Sequence, residues 1–454
     1  MHAVVERAAD QWVHVGIRAR PAFGDRPTNF AIGYVVSSRM ITLKVETMES
    51  EWNRREFIQA VGGLAGRAVV GSSLLSLGCD LTHFGVLQAP DENGIRLPPG
   101  FRSRIVAVSG QTVPGTHHIW HSAPDGGAIF ETIDGWIYVS NSERSSRGGV
   151  GALRFNRHGE PIDAYSICQG TFRNCAGGMT PWGTWLSCEE VSRGIVYECD
   201  PYGVRSQTPL PAMGSFSHEA VAVDPIGRRL YLTEDRSEGR LYRYTPNRWG
   251  HLSSGLLEVA EVDLDRRVHW HTVPNPNPRR FGLSTRHQVP ASTAFSGGEG
   301  IDYANGHIYF TTKGDNRVWD LDLETEKLGI LYDLETDKVK QLSGVDNLLV
   351  TPKGNILVAE DGGNMELVML GPGRTALALL RVEDQAGSEL TGPAFDPSGR
   401  RLYFSSQRGF DGDGITYEVR GPFPSQRGRR QGHGHGPRKK RLDRHDRHGR
   451  RERD

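Results

Sequence analysis

The chain has 454 residues, equal numbers of basic and acidic side chains and therefore no formal net charge, and a hydrophobic fraction of 37%. That balance removes the electrostatic case for a specific nucleic-acid partner. With 56 glycines the composition suits a turn-rich all-β protein, either as one large domain or as two or three average ones.

Residues 48–79 read as a targeting segment. Asn53-Arg54-Arg55-Glu56-Phe57-Ile58 is a twin-arginine signature, and a Gly-rich, moderately apolar run follows from Ala60 to Leu77, interrupted by Arg67. An arginine near the centre of a spanning helix costs roughly 2.5–3.5 kcal/mol, so no stable membrane span is expected here. The segment predicts engagement of the twin-arginine export machinery and a periplasmic or secreted location. Signals of this type lie near a chain start, and Met48 stands just ahead of Asn53. Residues 1–47 are accordingly read as a mis-start or a dispensable extension.

From residue 80 to 421 one local grammar returns. A strand, a Pro/Gly turn, a second strand of aromatic and β-branched residues and a polar end recur at Trp136-Ile137-Tyr138-Val139, Thr184-Trp185-Leu186-Ser187, Leu230-Tyr231-Leu232-Thr233, Ile308-Tyr309-Phe310-Thr311, Ile356-Leu357-Val358-Ala359 and Leu402-Tyr403-Phe404-Ser405. Aligned on Ile137, Trp185, Leu230, Ile308, Ile356 and Leu402, the spacings are 48, 45, 78, 48 and 46 residues. This period suits propeller blades, since a sheet of this kind buries both faces only by radial stacking. The expected fold is an all-β, six-bladed propeller with an insertion near 246–295, where Asn275-Pro276-Asn277-Pro278 interrupts the pattern.

The densest stretch runs from Asn174 to Glu190, NCAGGMTPWGTWLSCEE. Cys175 sits among Asn174, Ala176, Gly177 and Gly178 with nothing bulky to pack over it, whereas Cys188 lies inside an apolar strand, where an inert buried thiol is the ordinary state. Cys168 and Cys199 could pair, and sequence alone leaves that open. In a propeller the first strand of each blade lines the central tunnel. The residues at the start of those strands are Asp125, Cys175, Glu219, Glu299, Asp346 and Thr391. Five of these six can ligate a metal, and carboxylates crowded around one axis repel unless a cation neutralises them. Each acid could instead cap its own turn. Further acids close the second strands: Glu143, Glu189-Glu190, Glu234-Asp235 and Glu360-Asp361. An oxygen shell suits calcium, magnesium or manganese, and an added thiolate favours iron or zinc. His117, His118, His121 and His218 lie nearby as wall residues or secondary ligands.

The tail 422–454 is basic, His-rich and Gly-rich without an apolar pattern, which predicts disorder.

With SHEAVAVDP at 217–225, YLTEDRSEGRLYRYTP at 231–246, GVDNLLVTPKGNILVAEDGG at 344–363 and GPAFDPSGRRLYFSS at 392–406, the 174–190 stretch resembles the PhoX-type alkaline phosphatase family across roughly residues 95–420. The resemblance implies a six-bladed propeller, twin-arginine export, and an iron and calcium centre acting on a phosphomonoester substrate. It implies Cys175, Glu219 and Glu299 as iron ligands, with Glu190, Asp346 and Glu360 among the acids binding iron or calcium. Gly297-Gly298-Glu299 departs from the family pattern, having glycine where a phosphate-gripping arginine is expected two residues before the glutamate. Arg236 and Arg408 are the substitutes in catalysis. The alternatives to a phosphatase are a calcium-stabilised propeller acting as a binding protein, and a lactonase-like hydrolase, which would not need Cys175.

Overall fold

The computed structural model describes residues 30–36, 39–45, 84–337, 340–351, 353–371 and 375–423. The chain divides into two units, Met1–Leu74 and Leu75–Asp454. In the first, Phe30–Val36 and Arg39–Val45 pair as an antiparallel hairpin. The segment read as an export signal and all but the first two residues of the tail lie outside the described residues. No helix among the described residues is long and apolar enough to cross a membrane.

The second unit is built almost wholly of strands. The aromatic and β-branched runs picked out by the repeat are its second strands. Gly135–Ser142, for instance, is buried at every position. A strand covered on both faces loses the alternation of apolar and polar residues and reads as a continuous apolar run. Among the described residues, six hydrophobic clusters supply that cover, most of them drawn from two neighbouring strand groups. Leu357, Leu367 and Met369 meet Leu402, Phe404 and Tyr417 in one; Trp136, Tyr138 and Phe155 meet Tyr403 and Val106 in another. The latter joins the first strand group to the last. The inner strands Pro124–Thr132, Asn174–Met179, Phe216–Asp224, Gly298–Ala304, Val345–Val350 and Leu390–Phe395 accordingly neighbour one another in a closed ring. This is a propeller arrangement.

Hydrogen bonding corrects the expectation of six separate blades. Four sheets of four or five strands stand alone, and the other nine strands form a single sheet. The weld is short: Glu190 and Gly194 pair with Ser217 and Phe216 across a register shift. Closure also uses strands that the repeat did not reveal. Arg102–Val108 is the fourth strand beside Ile415–Arg420, and Ile95–Arg96 extends the preceding sheet, so the two ends of the unit are clasped together. The stretch read as an insertion near 246–295 is in part regular sheet. His251–Val262 and Val268–Thr272 are successive strands of the nine-stranded sheet, and irregular chain occupies most of residues 273–297.

The inner strands approach closely. A Cβ at Gly178 would lie 1.9 Å from the Val221 carbonyl oxygen of the next inner strand. Glycine at this position is a condition of the ring rather than of a turn. Cys168 and Cys199 are both buried free cysteines, Cys168 Sγ lying 3.9 Å from Thr171 Oγ1 and Cys199 Sγ donating to the Tyr197 carbonyl at 3.7 Å.

Candidate metal centre

All six inner strands carry the same irregularity near their start. Two residues face one on the neighbouring strand: Asp125-Gly126 opposite Asn141, Cys175-Ala176 opposite Cys188, Glu219-Ala220 opposite Thr233, Glu299-Gly300 opposite Thr311, Asp346-Asn347 opposite Ala359, and Gly392-Pro393 opposite Phe404. Such a bulge releases one residue from the pleat and re-aims its side chain. Five of the six residues expected to head the inner strands occupy these bulges. The sixth, Thr391, stands just before its bulge, with its hydroxyl bonded to the Pro124 carbonyl at 2.8 Å.

The bulges are pinned from the preceding sheet. Asn141 Nδ2 donates to the Cys175 carbonyl at 3.0 Å, Thr233 Oγ1 to that of Glu299 at 2.5 Å, and Thr311 Oγ1 to that of Asp346 at 2.6 Å. In each case the donor is the residue facing one bulge and the acceptor is the metal-ligating type of residue in the next. Holding the carbonyl outward turns the side chain inward. Asn141 is itself locked, accepting from Trp185 Nε1 at 2.9 Å and Ser187 Oγ at 3.0 Å.

Three groups of carboxylates converge. Glu219, Glu299 and Asp346 bring one oxygen each within 4.8 Å of one another, as do Asp125, Glu143 and Glu389, and Asp346, Asp361 and Glu389. The first group is the most enclosed, with side chains only 1–3% exposed. Burial, then repulsion from Glu299, Asp346 and Asp125, pushes the Glu219 carboxyl well above its usual range. Burial and Asp346 do the same to Glu299, against the pull of Lys313. Asp125 and Glu389 are raised by burial and neighbouring acids. Cys175 is half-buried beside this set. Burial and the charges of Asp125, Glu219, Glu143 and Asp346 hold its thiol well above the ordinary range, so the thiol stays protonated until a cation is present.

The residues fit a bound cation. Glu219 Oε1 is buried without a hydrogen-bond donor, and Glu299 Oε1 meets only the Lys313 ammonium, at 3.0 Å. The clustered carboxylate oxygens are a donor set for calcium, whereas the Cys175 thiol, the soft ligand that iron favours, falls outside all three groups and would have to close on them to join.

The remaining expected residues separate into near and far. Glu190 lies on the rim, its Oε2 accepting from Arg173 Nη1 at 3.1 Å, and is raised to about 7 by burial and by Asp235 against Arg173. Arg236 stands close enough to lower both Glu190 and Asp235. Arg408, 48% exposed, approaches Glu143 at 3.1 Å and Glu389 at 3.8 Å. Glu360 does not join the groups. Its two oxygens accept from the Ser343 and Glu366 amides at 2.8 and 3.0 Å, so it braces its own chain turn, and its neighbour Asp361 supplies the inward carboxylate. His218 stacks on Phe216 and bonds the Gly214 carbonyl, and His121 bonds that of Asn141. Burial lowers each to about 3, leaving neutral wall residues.

Two participants escaped the sequence reading. Glu389 lies two residues before Thr391 and contributes the carboxylate that Thr391 does not. Lys313 donates toward Glu299, Asp346 and Asp361 at 3.0, 3.4 and 3.1 Å. Burial acts to lower its pKa, but Asp346, Glu299 and Asp361 outweigh that and hold the ammonium well above its usual range. The repeat contained the signal: five residues after the alignment points stand Glu190, Asp235, Lys313 and Asp361, a lysine among acids.

Among known proteins, a comparison with curated sequences finds no match. Among solved structures, the chain is similar to a structural-genomics protein of unknown function from Bacteroides thetaiotaomicron (9% identity, TM-score 0.46, covering 87% of this chain and 83% of that one). It is also similar to a gluconolactonase from Xanthomonas campestris (11%, 0.44, 76% and 100%) and to the calcium-binding protein regucalcin from Agrobacterium tumefaciens (14%, 0.39, 70% and 96%). Residues 128–195 and 192–327, which hold Cys175, Glu190, Glu219, Glu299 and Lys313, match the family model for alkaline phosphatase PhoX. Over residues 128–327 the chain is thus a match to the alkaline phosphatase PhoX family, the family its motifs resemble.

Proposed function

We propose that this protein is an exported, metal-dependent phosphatase that hydrolyses phosphate monoesters at the mouth of the inner-strand ring. The observation that carries the reading is the enclosed trio Glu219, Glu299 and Asp346, each placed by a bulge and together within one cation's reach. Glu219, Glu299 and Asp346, with Cys175, would hold iron, and Asp361, Glu389, Asp125 and Glu143 would hold calcium. When bound, these cations supply the positive charge that draws phosphate oxygens and stabilises the departing oxygen. The protein's own cations do the orienting. Arg408 and Arg236, at the rim, can donate to the substrate's phosphate oxygens, and Lys313 keeps three acids from repelling one another. The nine-stranded sheet counts in this reading as two blades welded at Glu190 and Ser217, giving six around the site.

Export by the twin-arginine machinery rests on Arg54 and Arg55. Replacing both by lysine should leave the protein in the cytoplasm, and unimpaired export would remove the periplasmic or secreted assignment.

Elemental analysis of the purified protein beside a phosphomonoester assay tests the catalytic reading. Iron together with calcium and hydrolysis supports it. Calcium alone without hydrolysis points to a binding propeller, a reading favoured by the absence of an arginine at Gly297-Gly298. Calcium alone with lactone hydrolysis points to the lactonase-like alternative.

A further inference from the structure

A second charged region lies at the far end of the same inner strands. Pro124–Thr132 and Leu390–Phe395 begin at the acid groups, at Asp125 and just after Glu389. They end at Thr132 and just before Asp396, which line a cavity of about 480 Å³. At about 3.3 Å per residue, the length of Pro124–Thr132 separates the two regions by on the order of 20 Å.

Four arginines line the cavity, Arg157, Arg400, Arg401 and Arg420. Their arrangement is unusual for a sheet. Arg401 lies directly opposite Arg420 on the neighbouring strand, and Arg420 directly opposite Arg102 on the next. Three arginines therefore share one face in one row, and like charges directly opposite destabilise a sheet. Counter-charge is scarce. Glu418 is taken by Arg401 and Arg104, both at 2.8 Å. Asp396 is spent on its own turn, accepting from the amides of Arg400 and Arg401 and from Ser398. Glu131 is the remaining acid of the lining. Partial burial, with Arg401 and Arg102 beside it, lowers the Arg420 guanidinium below its ordinary range. Among the described residues, the buried Nε of Arg104 and the buried Nε1 of Trp136, under Arg401, find no hydrogen-bond acceptor.

We infer that this cavity is an anion-binding site, separate from the acid groups, that takes a small, multiply charged molecule of the phosphate class. Such an anion accepts charge-assisted hydrogen bonds from Arg400 and Arg420 at the lip and sits against Arg401, offsetting the repulsion between Arg401 and Arg420. Arg401 is held rigidly by Glu418 and by the His158 carbonyl at 2.6 Å, while Arg400 and Arg420, at the exposed lip, are the adjustable contacts. The inference does not depend on the phosphatase reading, because none of these residues contacts the acid groups.

Inorganic sulfate, a divalent oxyanion that a phosphatase does not consume and that binds calcium weakly, is the probe. Calorimetric titration is run on the purified full-length protein, on Glu219→Gln and on Arg400→Gln with Arg420→Gln. The expected result is one equivalent retained by Glu219→Gln, affinity falling with added sodium chloride, and at least a tenfold loss in the double arginine variant with its phosphomonoesterase rate unchanged. Undiminished affinity in the arginine variant overturns the site, as does loss in Glu219→Gln. Thermal melting is the second measurement. Without the probe, Arg420→Gln should melt no lower than the parent, and a lower melting temperature contradicts the unbalanced row.

Discussion

The two ends of the inner strand Pro124–Thr132 are held to opposite charge. At its start Asp125 meets Glu143 and Glu389, and at its finish the chain enters the arginine-lined cavity. A formal net charge of zero conceals this sorting. Both regions concentrate like charge, but they hold it differently. Asp125, Glu219, Glu299 and Asp346 are buried and aimed by bulges, and the backbone carbonyls of Glu299 and Asp346 are pinned, whereas Arg400 and Arg420 stand exposed around a buried, paired Arg401. Precise placement of buried charge suits a desolvated metal ion, and an exposed lip around one fixed arginine suits an anion that keeps part of its hydration.

The largest loss is expected at the enclosed acids. Glu299→Gln keeps the side-chain volume but removes a charge from the trio, and it should cut phosphomonoester hydrolysis by more than about 100-fold together with iron content. Retained iron with full activity would make the bulge placement incidental. A next effect, smaller, is expected at the thiol. Cys175→Ser should lower iron per chain while leaving calcium and melting temperature nearly unchanged, because a hydroxyl is the poorer ligand for a soft metal. Cys188→Ser, facing the same bulge from a packed strand, should lower the melting temperature and leave metal content intact. Equal iron in Cys175→Ser and the parent would reduce the site to an oxygen shell.

Much of this was legible in the chain. The second strands announced themselves because burial on both faces makes apolar runs, and Asp125, Cys175, Glu219, Glu299 and Asp346 were found by aligning those runs. The bulges were not legible as bulges, although the residue after each aimed side chain is compact: Gly126, Ala176, Ala220, Gly300 and Asn347. The choice of Glu360 over Asp361 shows why this matters. Neighbouring strand residues point to opposite faces, so one position along the chain separates the carboxylate that joins the acid groups, Asp361, from the one that braces its own turn, Glu360. The welding of two strand groups into nine strands depends on two residue pairs, and no periodicity marks it. The closing strand Arg102–Val108 was missed because it pairs with residues some three hundred positions away, and local pattern carries no such information.

Lys313 sharpens the comparison from within the acid region. It is the fixed positive charge on Glu299, Asp346 and Asp361, so Lys313→Met should lower the melting temperature of the chelator-treated protein, and added calcium should restore most of the loss. If calcium restores nothing, the acids at Lys313 do not form a cation site. A smaller, graded effect is expected from pH. In the metal-free protein the raised carboxyls of Glu219, Glu299, Asp125 and Glu389 favour the protonated form, and Glu190 sits at about 7. Their folded-state values exceed the unfolded ones, so the folded state binds more protons. The stability they contribute is fully present below about pH 4.5 and is lost as pH rises through the raised values, about 7 for Glu190. Melting of metal-free protein should therefore fall across that window, and saturating calcium should flatten the fall. A melting temperature that rises from pH 4.5 to 7 without metal would reverse the sign of this argument.

The central claim, that Glu219, Glu299 and Asp346 form a cation site serving phosphomonoester hydrolysis, is tested most directly by measuring iron and calcium per chain and hydrolysis rate on the same preparations of the parent and of Glu219→Gln. The account predicts bound iron and calcium with activity in the parent, and a parallel loss of iron and rate in the variant. A variant that keeps both its metal content and its rate would contradict it.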